Sequence, residues 1–244
     1  MILGSGWVSP FENIQSKDIK VIPYKAIPNF IKTSTPGHKG ELIIVRHKKE
    51  DIAILSGRVH LYEGVSLKGV CLPLKVLGAM GIRHIIITAS CGSLHRNLQP
   101  EDIAVIYDHI NLMGDNPLIG EKNRFIDMNL CYDKEMMERF IGLSKGAGVM
   151  VKKAVYVGVK GPTYETPAER KMMRILGGDV VGMSLVPEVI VSRALGIRVL
   201  ALGGVVNMVG EISKEPIRHE KVVARAKDIS SKISPLIRKF IEEM

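Results

Sequence analysis

Within eight consecutive residues, Gly57-Arg58-Val59-His60-Leu61-Tyr62-Glu63-Gly64, the chain places a guanidinium, an imidazole, a phenol and a carboxylate. Arg58, His60 and Tyr62 alternate, so an extended backbone presents them on one face. A guanidinium beside an imidazole suits a phosphate dianion, because charge-assisted hydrogen bonds to its oxygens are short and strong. Spacing alone leaves a second reading open, a solvated strand edge with ordinary surface charges. Gly4-Ser5-Gly6 follows Ile2-Leu3, which reads as the end of a strand. Its glycines let backbone N–H groups approach an anion, and the serine adds a hydroxyl. It matches neither the P-loop nor the dinucleotide pattern, so by itself it reads more readily as a tight turn.

Other polar residues fall where strands should end. Ser90-Cys91-Gly92-Ser93 closes the β-branched run Arg83 to Ala89 and is expected to form a turn. Nothing nearby in sequence would activate Cys91 as a nucleophile, so it is read as a packed small residue. In Gly161-Pro162-Thr163-Tyr164-Glu165-Thr166, Tyr164 offers a flat face and Glu165 a carboxylate acceptor. Glu165 also fits a first helical turn, where the macrodipole favours it. Ser184, before Pro187-Glu188, can cap a helix or bind an anion at its N-terminus. Asn207 ends the apolar run Val199 to Val206, where a buried amide needs partners. His219 precedes the last helical pattern and fits a surface capping role equally well.

The elements that must position these groups alternate between strand and helix, which favours an α/β sheet core. Strands are expected at Lys20 to Tyr24, Glu41 to Arg46, Asp51 to Leu55, Arg83 to Ala89, Asp102 to Asp108, Ala154 to Val159, Val180 to Met183 and Val199 to Val206. Helices are expected at Glu63 to Met80, bent or delayed by Pro73, at Lys134 to Ser144 and at Thr166 to Ile175. Pro187 sits where a first helical position tolerates proline. Val222, Ala226, Ile229, Ile233, Leu236 and Phe240 form one apolar stripe on a last helix that Pro235 should kink. In such folds, ligands bind outside the carboxyl ends of the strands.

No linker, repeat or low-complexity run divides the 244 residues, so one domain over 1–244 is expected. The net charge of +9 suits either nucleic acid or a phosphate substrate. The basic residues are scattered, with the densest cluster at His47-Lys48-Lys49, and aromatics at 5% leave few stacking platforms. Nucleic-acid binding is therefore disfavoured. Cys71, Cys91 and Cys131 are odd in number and match no zinc spacing, which suits a reducing cytoplasm. No signal peptide or membrane span is read.

Taken together, the segments resemble the trimeric purine nucleoside phosphorylases from Leu3 to about Phe240. The segments that carry the resemblance are Gly4-Ser5-Gly6, Ile27-Pro28-Asn29-Phe30, Pro36-Gly37-His38, Gly57 to Gly64, Asp108-His109-Ile110-Asn111-Leu112, Gly161 to Thr166 and Val181 to Val189. The resemblance implies a nucleoside phosphorylase fold, a mixed central sheet flanked by helices. It implies phosphate contacts from Ser5, His38, Arg58, His60, Ser90 and Ser184. Tyr164, Glu165, Asn207 and Val222 would hold the base, with Tyr62, Met183 and His219 around the ribose. His60, Glu165 and Asn207 would carry the catalysis. Phe125, in Arg124-Phe125, would reach into a neighbouring subunit's site, in a homotrimer or dimer of trimers. The implied reaction is phosphorolysis of 6-oxopurine nucleosides such as inosine and guanosine, with phosphate as co-substrate and neither cofactor nor metal.

Three departures keep alternatives in view. Family members usually carry a further segment before Gly4-Ser5-Gly6, and its absence is expected to loosen the first strand. Ala89-Ser90-Cys91-Gly92-Ser93-Leu94 is closer to the 5′-methylthioadenosine phosphorylases, whereas Glu165, Asn207 and His219 are not. Met208 and Gly210 replace residues that are more polar in the family. A non-catalytic nucleoside-binding or nucleic-acid-associated protein is the rival of another class.

Overall fold

The first residues join two sheets. In the computed structural model, which describes residues 1–12, 18–48, 50–122, 125–208 and 218–244, Ile2 bridges Leu55 and Ile87 in parallel. Lys49, Arg124 and Gly210 lie outside the described residues. The first sheet is an antiparallel meander of β1 (Ile19–Pro23), β2 (Glu41–His47) and β3 (Glu50–Ser56). The second closes into a barrel of β4 (His84–Ser93), β5 (Ile103–Asn111), β6 (Val151–Gly158), β7 (Val180–Gly182) and β8 (Arg198–Met208), in the order β4-β7-β6-β5-β8. The Met1 amino group donates to the Ala53 carbonyl at 2.6 Å. Ile2 is thus bridged to β3 on one side and to β4 on the other.

Within the barrel, β4 runs parallel to β8, β5 to β6 and β6 to β7, while β4–β7 and β5–β8 are antiparallel. Ile85 to Ile87 and Val199 to Val206 are buried without alternation. That pattern belongs to strands covered on both faces. The cover comes from α1 (Leu67–Ala79), α2 (Lys134–Gly146), α3 (Pro167–Ile175), α4 (Val186–Ala194) and α5 (His219–Glu242). The mixed α/β architecture expected from the sequence is the one observed.

Two boundaries differ for identifiable reasons, and the last helix runs on past its proline as the stripe requires. The helix expected from Glu63 starts at Leu67, because Gly64 (φ 79°) closes a 3-10 turn over Leu61–Glu63 and Ser66 then accepts from Gly69 N. Ser90 to Ser93 is not a turn. Gly92 and Ser93 pair with Val181 and Val180 on one side and with Asn207 and Met208 on the other, so β4 continues through them. Pro235 does not end α5. A mid-helix proline costs about 3 kcal/mol, but Leu236, Ile237 and Phe240 beyond it are all buried, and Phe240 packs edge-on to Phe140 at 5.5 Å. Each such side chain returns roughly 1.5–3 kcal/mol on burial, enough to carry the helix on to Glu242. The predicted stripe, Val222 to Phe240, is buried throughout.

Candidate active site

A cavity of about 470 Å³ opens where these elements converge, within the size range of small-molecule sites. Its walls are the ends of β4, β7 and β8, the β6–α3 connection, the start of α5, and the loops holding Ser5, Ser34–Pro36 and Arg58–Glu63. Ser5, Arg58, His60, Tyr62, Ser90, Tyr164, Glu165, Met183, Ser184, Asn207, His219 and Val222 all line it. Residues scattered over more than two hundred positions thus face one space.

One end is built for an anion. The Arg58 guanidinium is buried; Nε lies 2.8 Å from Glu188 Oε1 and Nη1 donates to Ser184 Oγ at 3.2 Å. Nη2 has no hydrogen-bond partner. Ser184 is held by a tight turn at Leu185, whose φ of 64° and ψ of −53° are strained for a side chain with a Cβ. Val186 N donates to Ser184 O across that turn at 2.7 Å, and Leu185 itself is fully buried.

His38 lies behind this end rather than on the cavity wall, and it faces a second chamber of about 400 Å³. Its Nδ1 accepts from Arg58 N at 3.3 Å, and its Nε2 lies 2.9 Å from Ser5 Oγ. Burial, with His60 and Arg58 adding to it, pushes its pKa down to about 2. The neutral ring that accepts at Nδ1 must donate from Nε2, which leaves the Ser5 hydroxyl proton free for a ligand. Ser90 Oγ donates to Ser5 O at 2.8 Å, so it braces Ser5. Gly57 (φ 107°) lets this layer close up, since a Cβ there would lie 2.7 Å from His38 Cβ.

His60 is buried and stacks on Tyr62 at 4.7 Å between ring centres. Burial, then the nearby Arg58 charge, holds its pKa below the usual value, although the hydrogen bond to Glu63 opposes them. Glu63 accepts from His60 N at 2.8 Å, and from Ser34 N and Oγ at 2.6 and 2.7 Å. Burial alone would raise the Glu63 pKa; these hydrogen bonds outweigh it and keep the carboxyl well below the ordinary range.

The other end is apolar with two polar exceptions. Val181, Met183, Val206 and Val222 wall it, and Tyr164 stands half-exposed at the side. Glu165 is buried, its Oε2 has no partner, and burial raises its pKa above the ordinary 4.5. Asn207 Nδ2 is likewise buried and unpaired. Buried polar atoms nearly always have partners. An unpaired acceptor and an unpaired donor in one cavity therefore describe the hydrogen-bonding face of a ligand. Cys91 lines the cavity, but its thiol is held up at about 12 by burial and donates to Gly204 O at 3.5 Å. His219 is the first residue of α5, with Nε2 3.5 Å from Pro36 O.

Two candidates do not line the cavity in the single chain: His38, which backs it through Ser5 and Arg58, and Phe125, which is fully exposed. Residues without a role in the sequence reading also appear in the walls, among them Ser34, Thr35, Pro36 and Glu63. The polar run Thr33-Ser34-Thr35-Pro36-Gly37 was the signal for the first three, a loop with hydroxyls next to His38.

The chain belongs to the phosphorylase superfamily, whose family profile matches residues 2–242. Among its relatives, purine nucleoside phosphorylase 1 of Geobacillus stearothermophilus is 37% identical over 249 residues, covering 100% of this chain and 90% of the relative. Solved structures of Schistosoma mansoni purine nucleoside phosphorylase superpose at 34% identity over 100% of this chain and 89% of theirs. The TM-score is 0.91 for the inosine complex and 0.92 for the adenosine complex.

Proposed function

We propose that this protein is a purine nucleoside phosphorylase that cleaves 6-oxopurine ribonucleosides and deoxyribonucleosides with inorganic phosphate, giving free base and sugar 1-phosphate. The observation that carries this reading is the pair of unpaired buried groups, Glu165 Oε2 and Asn207 Nδ2, facing the same cavity as the buried Arg58. Hypoxanthine and guanine present an N1–H donor beside an O6 acceptor, which complements a carboxylate and an amide N–H. Adenine presents a lone pair at N1, and a site built for a donor rejects it strongly.

Glycosidic cleavage passes through an oxocarbenium-like sugar. Phosphate, held by Arg58, His60, Ser5 and Ser184, forms the new bond to C1′ as the bond to N9 breaks. Its negative charge lies against the developing cation. The electron pair leaves with the base, where Asn207 donates to N7 or O6 and strengthens its contact as charge grows. Tyr62, Met183 and His219 flank the sugar. No cofactor or metal enters this scheme.

The neighbouring reading, 5′-methylthioadenosine phosphorolysis, rests on Ala89 to Leu94. There Cys91 donates to Gly204 O inside the barrel, whereas Glu165 and His219, which favour the 6-oxopurine reading, line the cavity. An assembly is supported by the strong exposure of Phe125, Leu130 and Ile119. A homotrimer in which Phe125 covers the neighbour's ribose accounts for that exposure. We place the enzyme in the cytoplasm, consistent with three buried free cysteines. Among the described residues no helix is long and apolar enough to cross a membrane.

The test is a panel of inosine, guanosine, adenosine, xanthosine and methylthioadenosine, each with and without phosphate. Phosphate-dependent release of hypoxanthine from inosine, well above adenosine turnover, is expected. Equal release in phosphate-free buffer, or a preference for methylthioadenosine, overturns the reading.

A further inference from the structure

We infer that Glu188, which lies outside the cavity, is a positioning residue for phosphate: its carboxylate fixes the Arg58 guanidinium so that Nη1 meets Ser184 and Nη2 remains free for the anion. The inference rests on the phosphorolysis reading and deepens it.

Three observations converge. First, Glu188 and Arg58 form an ion pair 2.8 Å long with both side chains almost wholly buried, at 4% and 5% exposure. Burying such a pair gains little stability over well-packed apolar residues, whereas removing one partner leaves a costly charge. Stability alone is thus a weak reason for it. Second, the partners sit on one side of the guanidinium. Glu188 Oε1 lies 2.8 Å from Nε as an ion pair, Nη1 donates to Ser184 Oγ, and Nη2, like Nε, is buried with no hydrogen-bond partner. A planar guanidinium held at one edge cannot rotate its remaining donor away.

Third, Glu188 and Ser184 belong to one rigid unit. Ser184 enters the tight turn at Leu185, and Glu188 lies in the first turn of α4 directly after it. Pro187 O, between them, also accepts from the buried Cys71 thiol of α1 at 3.6 Å. The helix that delivers one phosphate ligand therefore also aims the other. Arg58 itself sits on an irregular segment between β3 and the 3-10 turn at Leu61, with no helix of its own to hold it.

A competing role is electrostatic. A carboxylate near an anion site could simply weaken phosphate binding by repulsion. The two roles predict opposite results for two conservative variants. Glu188→Asp keeps the charge but withdraws it by one methylene on a fixed helix. Glu188→Gln keeps the reach and an acceptor oxygen but removes the charge. Positioning predicts that Glu188→Asp raises the KM for phosphate about tenfold. The KM for inosine should change less than about threefold, and Glu188→Gln should raise the phosphate KM by less than Glu188→Asp. Repulsion predicts a lower phosphate KM for Glu188→Gln and no change for Glu188→Asp.

The experiment measures both KM values for the wild type and the two variants. Alongside them it measures the phosphate concentration giving half-maximal thermal stabilisation of each protein. The second readout needs no turnover, so it tests positioning even if the wild type proves not to be a phosphorylase. A wild type that is stabilised by phosphate but does not use it to cleave nucleosides defeats the functional reading alone. Wild-type phosphate dependence in Glu188→Asp, or an inosine KM raised as much as the phosphate KM, overturns the inference.

Discussion

The two ends of the cavity solve different problems. At the phosphate end the side chains brace one another: Arg58 with Glu188 and Ser184, His38 with Ser5, Ser90 with the Ser5 carbonyl, and Glu63 with His60 and Ser34. The donors they leave without hydrogen-bond partners, Arg58 Nε and Nη2 and His60 Nδ1, are buried and held in place. At the base end Glu165 Oε2 and Asn207 Nδ2 have no partner. A small symmetric anion can be met by a preassembled cradle, whose reorganisation cost is settled in folding. A heterocycle must be told from close relatives, and unsatisfied groups do that because the wrong ligand leaves them unsatisfied.

The contrast can be broken most directly at Arg58. Replacing it with alanine should lower kcat/KM for phosphate by about a thousandfold or more. Most of the loss should be in the use of phosphate. Steady-state kinetics with each substrate varied checks this; a defect confined to the inosine KM would erase the distinction between the two ends. Glu165→Ala should cost about a hundredfold or more in kcat/KM for inosine and narrow the preference over adenosine, while the phosphate KM stays near wild type.

The carboxylates at the two ends should also titrate in opposite senses. Glu165 must be ionised to accept N1–H, and burial raises its pKa. The acid limb of kcat/KM for inosine should therefore lie above the ordinary carboxylate pKa and disappear in Glu165→Gln. A raised pKa makes the ionised form a burden on the folded state. Its stabilising contribution is present below the unfolded pKa and lost as pH rises through the folded one. Glu165→Gln should thus melt higher than wild type at pH 7. Glu63 has a depressed pKa, so its contribution is present above about 4.3 and lost as pH falls toward the folded value. Glu63→Gln should melt lower at pH 7, and its deficit should shrink in acid. Melting curves across pH decide both signs. The smallest effect is expected at Ser90, where alanine removes a single neutral brace and should cost about threefold to tenfold in the use of phosphate.

Sequence made the two ends unequally legible. Arg58, His60 and Tyr62 announce themselves by alternation, and Glu165 and Asn207 sit where strands deliver ligands. The partners that aim them do not. Glu188 follows Arg58 by 130 positions, and it reads locally as a favourable first-turn residue, a role it also fills. Ser90 to Ser93 was expected to turn because its residues favour turns; pairing with both β7 and β8 overrides that preference. Phe125 carries the opposite lesson. The resemblance assigns it a place in a neighbour's site, and a single chain, which leaves it in solvent, holds nothing for it to touch. The α5 stripe was plain because its spacing is local.

The turn at Leu185 ties the chemistry to a part of the molecule that never meets a ligand. Its backbone conformation is one that leucine resists, and the fully enclosed side chain is what holds it there. Trimming the apolar neighbours around that leucine would let the turn relax and Ser184 drift. Such lesions, mapped on the fold, would look like ordinary packing defects, yet they would surface first as a weakened grip on the anion.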